Sequence, residues 1–235
     1  LPRHHGPVPG PPMTPWNLFR FRWKISQKAF RKNYDPSILP RETYLLYEIK
    51  WSYGRRPWQR WFCSTSREHV EMYFLNDVHE KLKNNPSAHC TITCYMSWSP
   101  CGYCCEDIMD FLWEWPNVNL VIYVARLYWH QNKFNRQGLR NLESFGVPIK
   151  VMNLPDYSYC WRTLVNNENS SEEDYWPMYL APWIMLYSLE LQTILQVSRT
   201  VGSGKVHPEM NHSHMQKPVS VLEISLASFG LSFVL

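Results

Sequence analysis

Four residues of this chain have the types and spacing to do chemistry together. His69 and Glu71 stand two apart in REHVEMYF (67–74), and Cys101 and Cys104 stand three apart in SWSPCGYCC (97–105), directly after Pro100. Cysteines at i and i+3 at the start of a helix face the same way. A helix N-terminus also favours the thiolate, which is the form that binds metal. One imidazole and two thiolates hold a tetrahedral zinc ion and leave its fourth position to water. Zinc lowers the pKa of that water to about 7, which gives hydroxide at neutral pH. Glu71 is not needed as a ligand, so it is free to take the proton from the water and pass it on. The implied chemistry is metal-assisted hydrolysis with one carboxylate moving the protons.

Other uses of these residues fit less well. A CxxC redox pair needs a thioredoxin-like setting, and both Pro100 and the H-x-E partner argue against one. A closed structural zinc site needs a fourth protein ligand. Cys105, Cys90, Cys94 and His89 are near enough in sequence, but such a site has no use for Glu71. Cys105 competes with Cys104 for the second thiolate position. On a helix it points about 100° away, so only one can ligate, and the two-residue gap favours Cys104. Cys63, Cys90, Cys94 and Cys160 read as ordinary buried thiols, and His79, His89 and His130 as surface or core histidines.

The elements that must position this set follow from periodicity and turn chemistry. RETYLLYEIKW (41–51) and RPWQRWFCS (56–64) read as the strands of a hairpin turned at SYGRR. Thr65 and Glu68 form a capping box that starts a helix near residue 66. Val70, Phe74, Val78 and Leu82 then mark its buried face. HCTITCYMSW (89–98) is a strand, Ser99 suits an N-cap and Pro100 the first helical position. Ile108, Phe111, Leu112 and Trp115 line that second helix. VNLVIYVARLYW (118–129) is apolar enough for a strand covered on both faces. A helix over 134–144 and a strand at 147–153 complete a strand–helix–strand unit, which implies a parallel pair. Further helix is expected over 155–166 and 176–196, and a basic, aromatic helix within 13–32. The expected architecture is α/β, a five-stranded mixed sheet sandwiched by about six helices.

Composition sets bounds on this reading. At 235 residues the chain holds one domain with tails, large enough for a core without disulfide staples. Seven cysteines, an odd number at low density, and an N-terminal LPRHHGPVPGPP without an apolar stretch suit reduced thiols in a cytoplasmic and nuclear protein. The net charge of +4 hides an asymmetry. Residues 1–68 carry thirteen Lys and Arg against four acids, leaving +9 there and −5 in the rest. Basic charge interleaved with Trp and Tyr suits phosphates and stacked bases. The expected domains are a disordered Pro-rich arm at 1–12, a catalytic domain at 13–196 and a divergent, partly disordered tail at 197–235. The apolar end at 219–235 carries Glu223 and several Ser, too short and polar for a membrane span.

His69, Glu71, Pro100, Cys101 and Cys104 together spell H-x-E…P-C-x-x-C, the signature of the zinc deaminases. Beyond it, RETYLLYEIKW, HVE, SWSPC, VIYVARLYW, GLRNL and YCWRTLV (159–165) resemble the AID/APOBEC polynucleotide cytidine deaminases. LLYEIKW, ARLYWHQ, NRQGLR and the segment 174–190 are most similar to the messenger-RNA-editing branch of that family. The resemblance covers about 34–196. It implies the cytidine-deaminase fold, one Zn²⁺ per chain on His69, Cys101 and Cys104, and Glu71 as proton shuttle. It also implies a substrate pocket. Trp98 and Ser99 would line the flipped cytosine and Tyr128 would pack on it. Trp129 to Gln131 would read the preceding nucleotide, while Arg41 and Thr43 hold the substrate backbone.

The expected activity is conversion of cytidine to uridine in single-stranded RNA or DNA, with messenger-RNA editing first. The rivals are a single-stranded DNA mutator and an inactive zinc-stabilised relative that only binds nucleic acid. Intact Glu71 argues against the last. One pocket reads only a nucleotide or two and the chain holds no RNA-recognition motif, so an RNA-binding targeting partner is expected. A homodimer is left open, and no membrane is involved.

Overall fold

In chain order the elements are β1 (Ile25–Ser26), α1 (Gln27–Tyr34), β2 (Thr43–Trp51), β3 (Trp58–Ser64), α2 (Val70–Lys83), β4 (Cys90–Met96), α3 (Gly102–Glu114), β5 (Val118–Val124), α4 (Lys133–Phe145), β6 (Ile149–Val151), α5 (Leu154–Thr163), β7 (Val165–Asn166) and α6 (Leu180–Gln196). They come from a computed structural model that describes residues 24–52, 54, 56–64, 68–166 and 178–196. The arm at 1–12 and the tail at 197–235 lie outside the described residues, as does Thr65 of the expected capping box.

The strand order of the main sheet is β3-β2-β4-β5-β6. The β2–β3 and β2–β4 pairs are antiparallel, and β4–β5 and β5–β6 are parallel. This is the mixed five-stranded α/β sheet read from the sequence. Helix α4 makes the crossover between the parallel pair β5 and β6, as a parallel connection requires. Alternation along β2 divides the core in two. Leu45, Tyr47 and Ile49 pack with Val70, Phe74 and Val78 of α2, Ile108 and Phe111 of α3, and Leu191 of α6. Tyr44 and Leu46 point to the other face, against Phe30 and Tyr34 of α1 and Tyr157, Cys160 and Trp161 of α5. Each buried aliphatic side chain adds roughly 1.5–3 kcal/mol. The sheet is therefore held from both sides, and the ends of β4 and β5 are fixed platforms. Among the described residues no helix is long and apolar enough to cross a membrane.

Several expected boundaries move, each for a physical reason. The basic helix expected within 13–32 starts only at Gln27, where Ser26 caps it by accepting from the Ala29 N–H at 3.2 Å. Before it, Ile25 pairs in parallel with Val165 at the end of α5, so 165–166 is strand rather than helix. The apolar run at 118–129 stops being strand at Val124. Ala125 still donates to the Met96 carbonyl at 2.8 Å, but Arg126 turns its side chain back into the protein. Tyr128 and Trp129 thus stand on a loop beyond the strand. Cys63 is half-buried rather than buried.

Candidate active site

Both helices at the site begin later than their sequences suggest. Helix α2 starts at Val70 rather than near 66, with His69 in its N-cap position at φ −74°, ψ 141° and no side-chain cap bond. Helix α3 starts at Gly102, two residues beyond the expected Pro100, with Cys101 at φ −76°, ψ 172° in the same role and likewise no side-chain cap bond. The reason is common to both. An extended backbone at the N-cap swings the side chain off the helix and toward its neighbour. His69 Nδ1 lies 3.1 Å from Cys104 Sγ and 3.4 Å from Cys101 Sγ. The donor atoms of His69, Cys101 and Cys104 all fall within 4.8 Å of one another. Cys105 is fully buried and turned toward Gly138 of α4, away from this group.

These three residues fit zinc. Zn–N of about 2.0 Å and Zn–S of about 2.3 Å at a tetrahedral angle place N and S roughly 3.5 Å apart. The spacings of 3.4 Å and 3.1 Å lie at and somewhat under that value, and soft thiolates with imidazole are a donor set that suits zinc. The thiols share charge unequally. The Cys101 thiol is drawn well below its ordinary range, first by the hydrogen bond from Cys104 and then by His69, against its burial. Cys104 is pushed the other way by the same bond.

Glu71 sits in the first turn of α2 with only 4% of its surface exposed. Burial is the main reason its carboxyl is pushed up to about 7; the Cys101 charge adds to this, while its own backbone N–H and His69 oppose it. A carboxyl poised near neutrality can both accept and return a proton.

Three of the expected substrate residues, Trp98, Ser99 and Tyr128, are brought together. Tyr128 and Trp98 meet edge to face at 6.4 Å and 79°. Burial first, then the charges of Cys101, Cys104 and Glu71, raise the Tyr128 phenol. Ser99 is buried, and its Oγ accepts from the Tyr128 N–H at 2.9 Å. Trp129 is 42% exposed at the loop tip, with the left-handed φ of 40°. Arg41 is exposed and Thr43 half-buried where the α1–β2 loop enters β2. Trp98 Nε1 donates to the Pro40 carbonyl of that loop at 3.3 Å. Lys24, Lys28, Arg31, Lys32 and Arg56, all from the basic first segment, are exposed as well.

Two residues of the site escaped the reading of the sequence. Arg126 is fully buried, donates to the carbonyls of Asp35 (2.5 Å), Ile38 (2.8 Å) and Asn33, and lies 4.5 Å over the Trp98 ring. It fixes the loop that precedes Arg41 beside the Trp98 ring. A lone arginine within an apolar run was the signal, because a charge there must be buried and bonded. The other is Asn135, on the first turn of α4, for which no local signal exists. An open groove of about 580 Å³ runs between Trp113, Val121, Phe145 and Pro148, and no residue of the site lines it.

A histidine and two cysteines that fit zinc, beside a buried carboxylate at the ends of parallel strands, are the equipment of a hydrolytic base deaminase. A family model described as APOBEC4-like AID/APOBEC deaminase matches residues 33–167. The chain is 44% identical to the Homo sapiens C->U-editing enzyme APOBEC-1 over 174 residues, 74% of this chain and 73% of that protein. It is 45% identical to the Mus musculus protein of the same name, over 74% of this chain and 75% of that one. To the Felis catus DNA dC->dU-editing enzyme APOBEC-3H it is 35% identical over 137 residues, 58% of this chain and 70% of that protein. The chain belongs to the AID/APOBEC deaminases, and cytidine deamination is the activity of that family.

Proposed function

We propose that this protein hydrolyses cytidine to uridine in single-stranded polynucleotide, with messenger RNA as its principal substrate. The observation that carries this reading is the buried Glu71 beside the His69–Cys101–Cys104 group. In this reading the three residues hold one Zn²⁺ per chain. When bound, zinc acts as a Lewis acid that makes hydroxide available at neutral pH. Glu71 would accept one proton of the attacking water and deliver it to the ring nitrogen, then take the proton of the hydroxyl added at C4 and pass it to the departing amine as the C4 carbonyl forms. Water and cytidine are consumed; uridine and ammonia leave.

The remaining residues orient the base. Trp98 and Tyr128 form two walls at a steep angle, and Ser99 holds the backbone of Tyr128 in place. The base must leave its stack to enter, so a duplex is a poor substrate. Trp129 contacts the preceding nucleotide, while Arg41 and Thr43 take the backbone. The basic surface of α1 extends the track, with Lys28, Arg31 and Lys32 exposed along it. A pocket that takes a single base reads too little sequence to select one site in a transcript, so an RNA-binding partner supplies the address. The domain runs from 13 to 196, and the protein works in cytoplasm and nucleus.

A second reading, deamination of single-stranded DNA, draws on the similarity to a protein named for DNA dC->dU editing. Matched single-stranded RNA and DNA oligonucleotides, incubated with purified zinc-loaded protein and with its Glu71→Gln variant, decide between the two. Uridine formed in RNA and lost with the variant is the expected result. Product in DNA alone favours the second reading, and no product in either removes both.

A further inference from the structure

We infer that Asn135 is a positioning residue that caps the metal-bearing helix from outside and sets the loop that reads the neighbouring nucleotide. The inference rests on the proposed role of Trp129 at the substrate. Helix α3 needs such a cap. The first N–H groups of any helix lack internal partners, and the N-cap side chain usually serves one of them. Here the N-cap is Cys101, whose sulfur is turned to His69 and makes no cap bond. The orphan N–H of Gly102 is taken instead by Asn135 Oδ1 at 2.9 Å, from a different helix.

The other end of the same amide reaches the loop. Asn135 Nδ2 lies 3.4 Å from the Tyr128 carbonyl and 3.4 Å from the Trp129 carbonyl, a long contact to each. The orientation of the amide is forced, because one side meets an N–H and the other meets only carbonyls. Asn135 is 93% buried, given its 7% exposure, so water does not compete for these bonds. Nothing else among the described residues joins the start of α3 to the 128–129 carbonyls through one side chain.

That loop needs support. Trp129 sits at φ 40°, a region that side chains other than glycine occupy only where their surroundings hold them. Its carbonyl also accepts from the Asn132 N–H at 2.8 Å, and Asn132 caps α4 through Oδ1 to the N–H groups of Phe134 and Asn135. The start of α4 therefore grips the loop, and Asn135 ties that grip by hydrogen bonds to the helix carrying Cys101 and Cys104, beside the packing of Phe134 on Tyr103. One buried amide thus bonds the start of the cysteine-bearing helix to the carbonyls of the loop that carries Trp129.

The full chain, loaded with zinc, is tested as Asn135→Asp, Asn135→Ala and Trp129→Ala. Substrates are single-stranded cytidine oligonucleotides that differ only in the 5′ neighbour. Aspartate keeps the acceptor for Gly102 and loses the donor to the loop; alanine loses both. All three variants should keep zinc. Both Asn135 variants should flatten the neighbour preference by about fivefold, the weight of one ordinary hydrogen bond, toward the Trp129→Ala profile. Alanine should lower kcat as well, because the metal helix is also released. If Trp129→Ala flattens the preference and neither Asn135 variant does, the inference is wrong while the proposed function stands. An equal loss of rate for every neighbour would make Asn135 merely structural and also overturn it. If Trp129→Ala itself keeps the native preference, the reading role of Trp129 falls and takes this inference with it.

Discussion

His69, Cys101 and Cys104 reach the site from the starts of two helices, the cysteines three apart and His69 32 and 35 residues before them. Trp98, Tyr128 and Trp129 reach it from loops, and those loops are held by side chains of neighbouring elements, some far away along the chain. Ser99 Oγ holds Tyr128 across 29 residues, and Arg126 holds the 35–38 carbonyls across about 90. The floor is thus set by helix starts seated on a rigid sheet, and the rim by a few buried long-range hydrogen bonds. Damage to the floor should be all or nothing. Damage to the rim should be graded, and should appear first in substrate choice.

The sharpest way to break the floor is to remove a thiolate. Cys104→Ser should abolish activity, lose zinc by elemental analysis and cost about 3 kcal/mol of stability or more, the linkage expected of a tightly bound ion. Cys105→Ser should keep its zinc, since that side chain packs against α4. The reverse pattern would move the ligand by one position. Metal should leave as pH falls, because protons compete for the same thiolates and imidazole.

Glu71→Gln separates the two jobs of the floor. The amide keeps the shape and can still hydrogen bond, but it cannot accept the proton of the attacking water. Deamination should fall by about 10⁴-fold, the upper range for general acid–base help, since one carboxylate serves several transfers. Zinc content and affinity for single-stranded oligonucleotides should not change. Near-normal activity would sink the mechanism, and loss of zinc would make Glu71 a ligand.

What the sequence showed of these two regions follows the same division. The metal group was legible because its chemistry fixes residue types at short spacing, and the sheet because strand and crossover patterns are periodic. The helix starts were read too early. Thr65-x-x-Glu68 and Ser99–Pro100 are sound caps by local rules, but His69 and Cys101 must stay extended to face each other, a tertiary demand no window of sequence contains. The strand at 118–129 was read too long for a related reason. Apolar character continues past Val124, while Arg126 leaves the sheet to bind carbonyls some 90 residues earlier. Asn135 was invisible, because its partners Gly102 and Trp129 meet only in the folded protein.

For the rim, Arg126→Met is the larger insult. It leaves the carbonyls of Asn33, Asp35 and Ile38 without their buried donor and removes the cation above Trp98. Two or three stranded carbonyls at about 1–3 kcal/mol each, partly relieved by relaxation, predict a loss of about 3 kcal/mol. Zinc should be retained. Oligonucleotide affinity should drop, since the loop bearing Arg41 is no longer anchored. Native affinity in a destabilised but zinc-loaded variant would show that the 35–42 loop holds its place without Arg126.

The smallest expected effect falls where floor and rim touch. A Cβ on Gly138 of α4 would lie 2.9 Å from the Gly102 Cα of α3 and 3.1 Å from both Cβ and Sγ of Cys105. The first of these is backbone and cannot swing aside, so the two helices must part by a few tenths of an ångström. Two terms then oppose each other in Gly138→Ala. Alanine is favoured over glycine inside a helix by about 0.8–1 kcal/mol, while overpacking of this kind costs about 1–3 kcal/mol. Overpacking wins, because parting the helices also stretches the 2.9 Å bond from Gly102 to Asn135. The net loss should be about 1 kcal/mol, read from the urea midpoint at fixed zinc. Zinc should stay bound, because His69, Cys101 and Cys104 belong to α2 and α3 and move together. Neighbour preference should shift slightly, because the rim is carried on α4. A gain in stability would show that α3 and α4 part without cost, and the division between a rigid floor and a hung rim would lose its hinge.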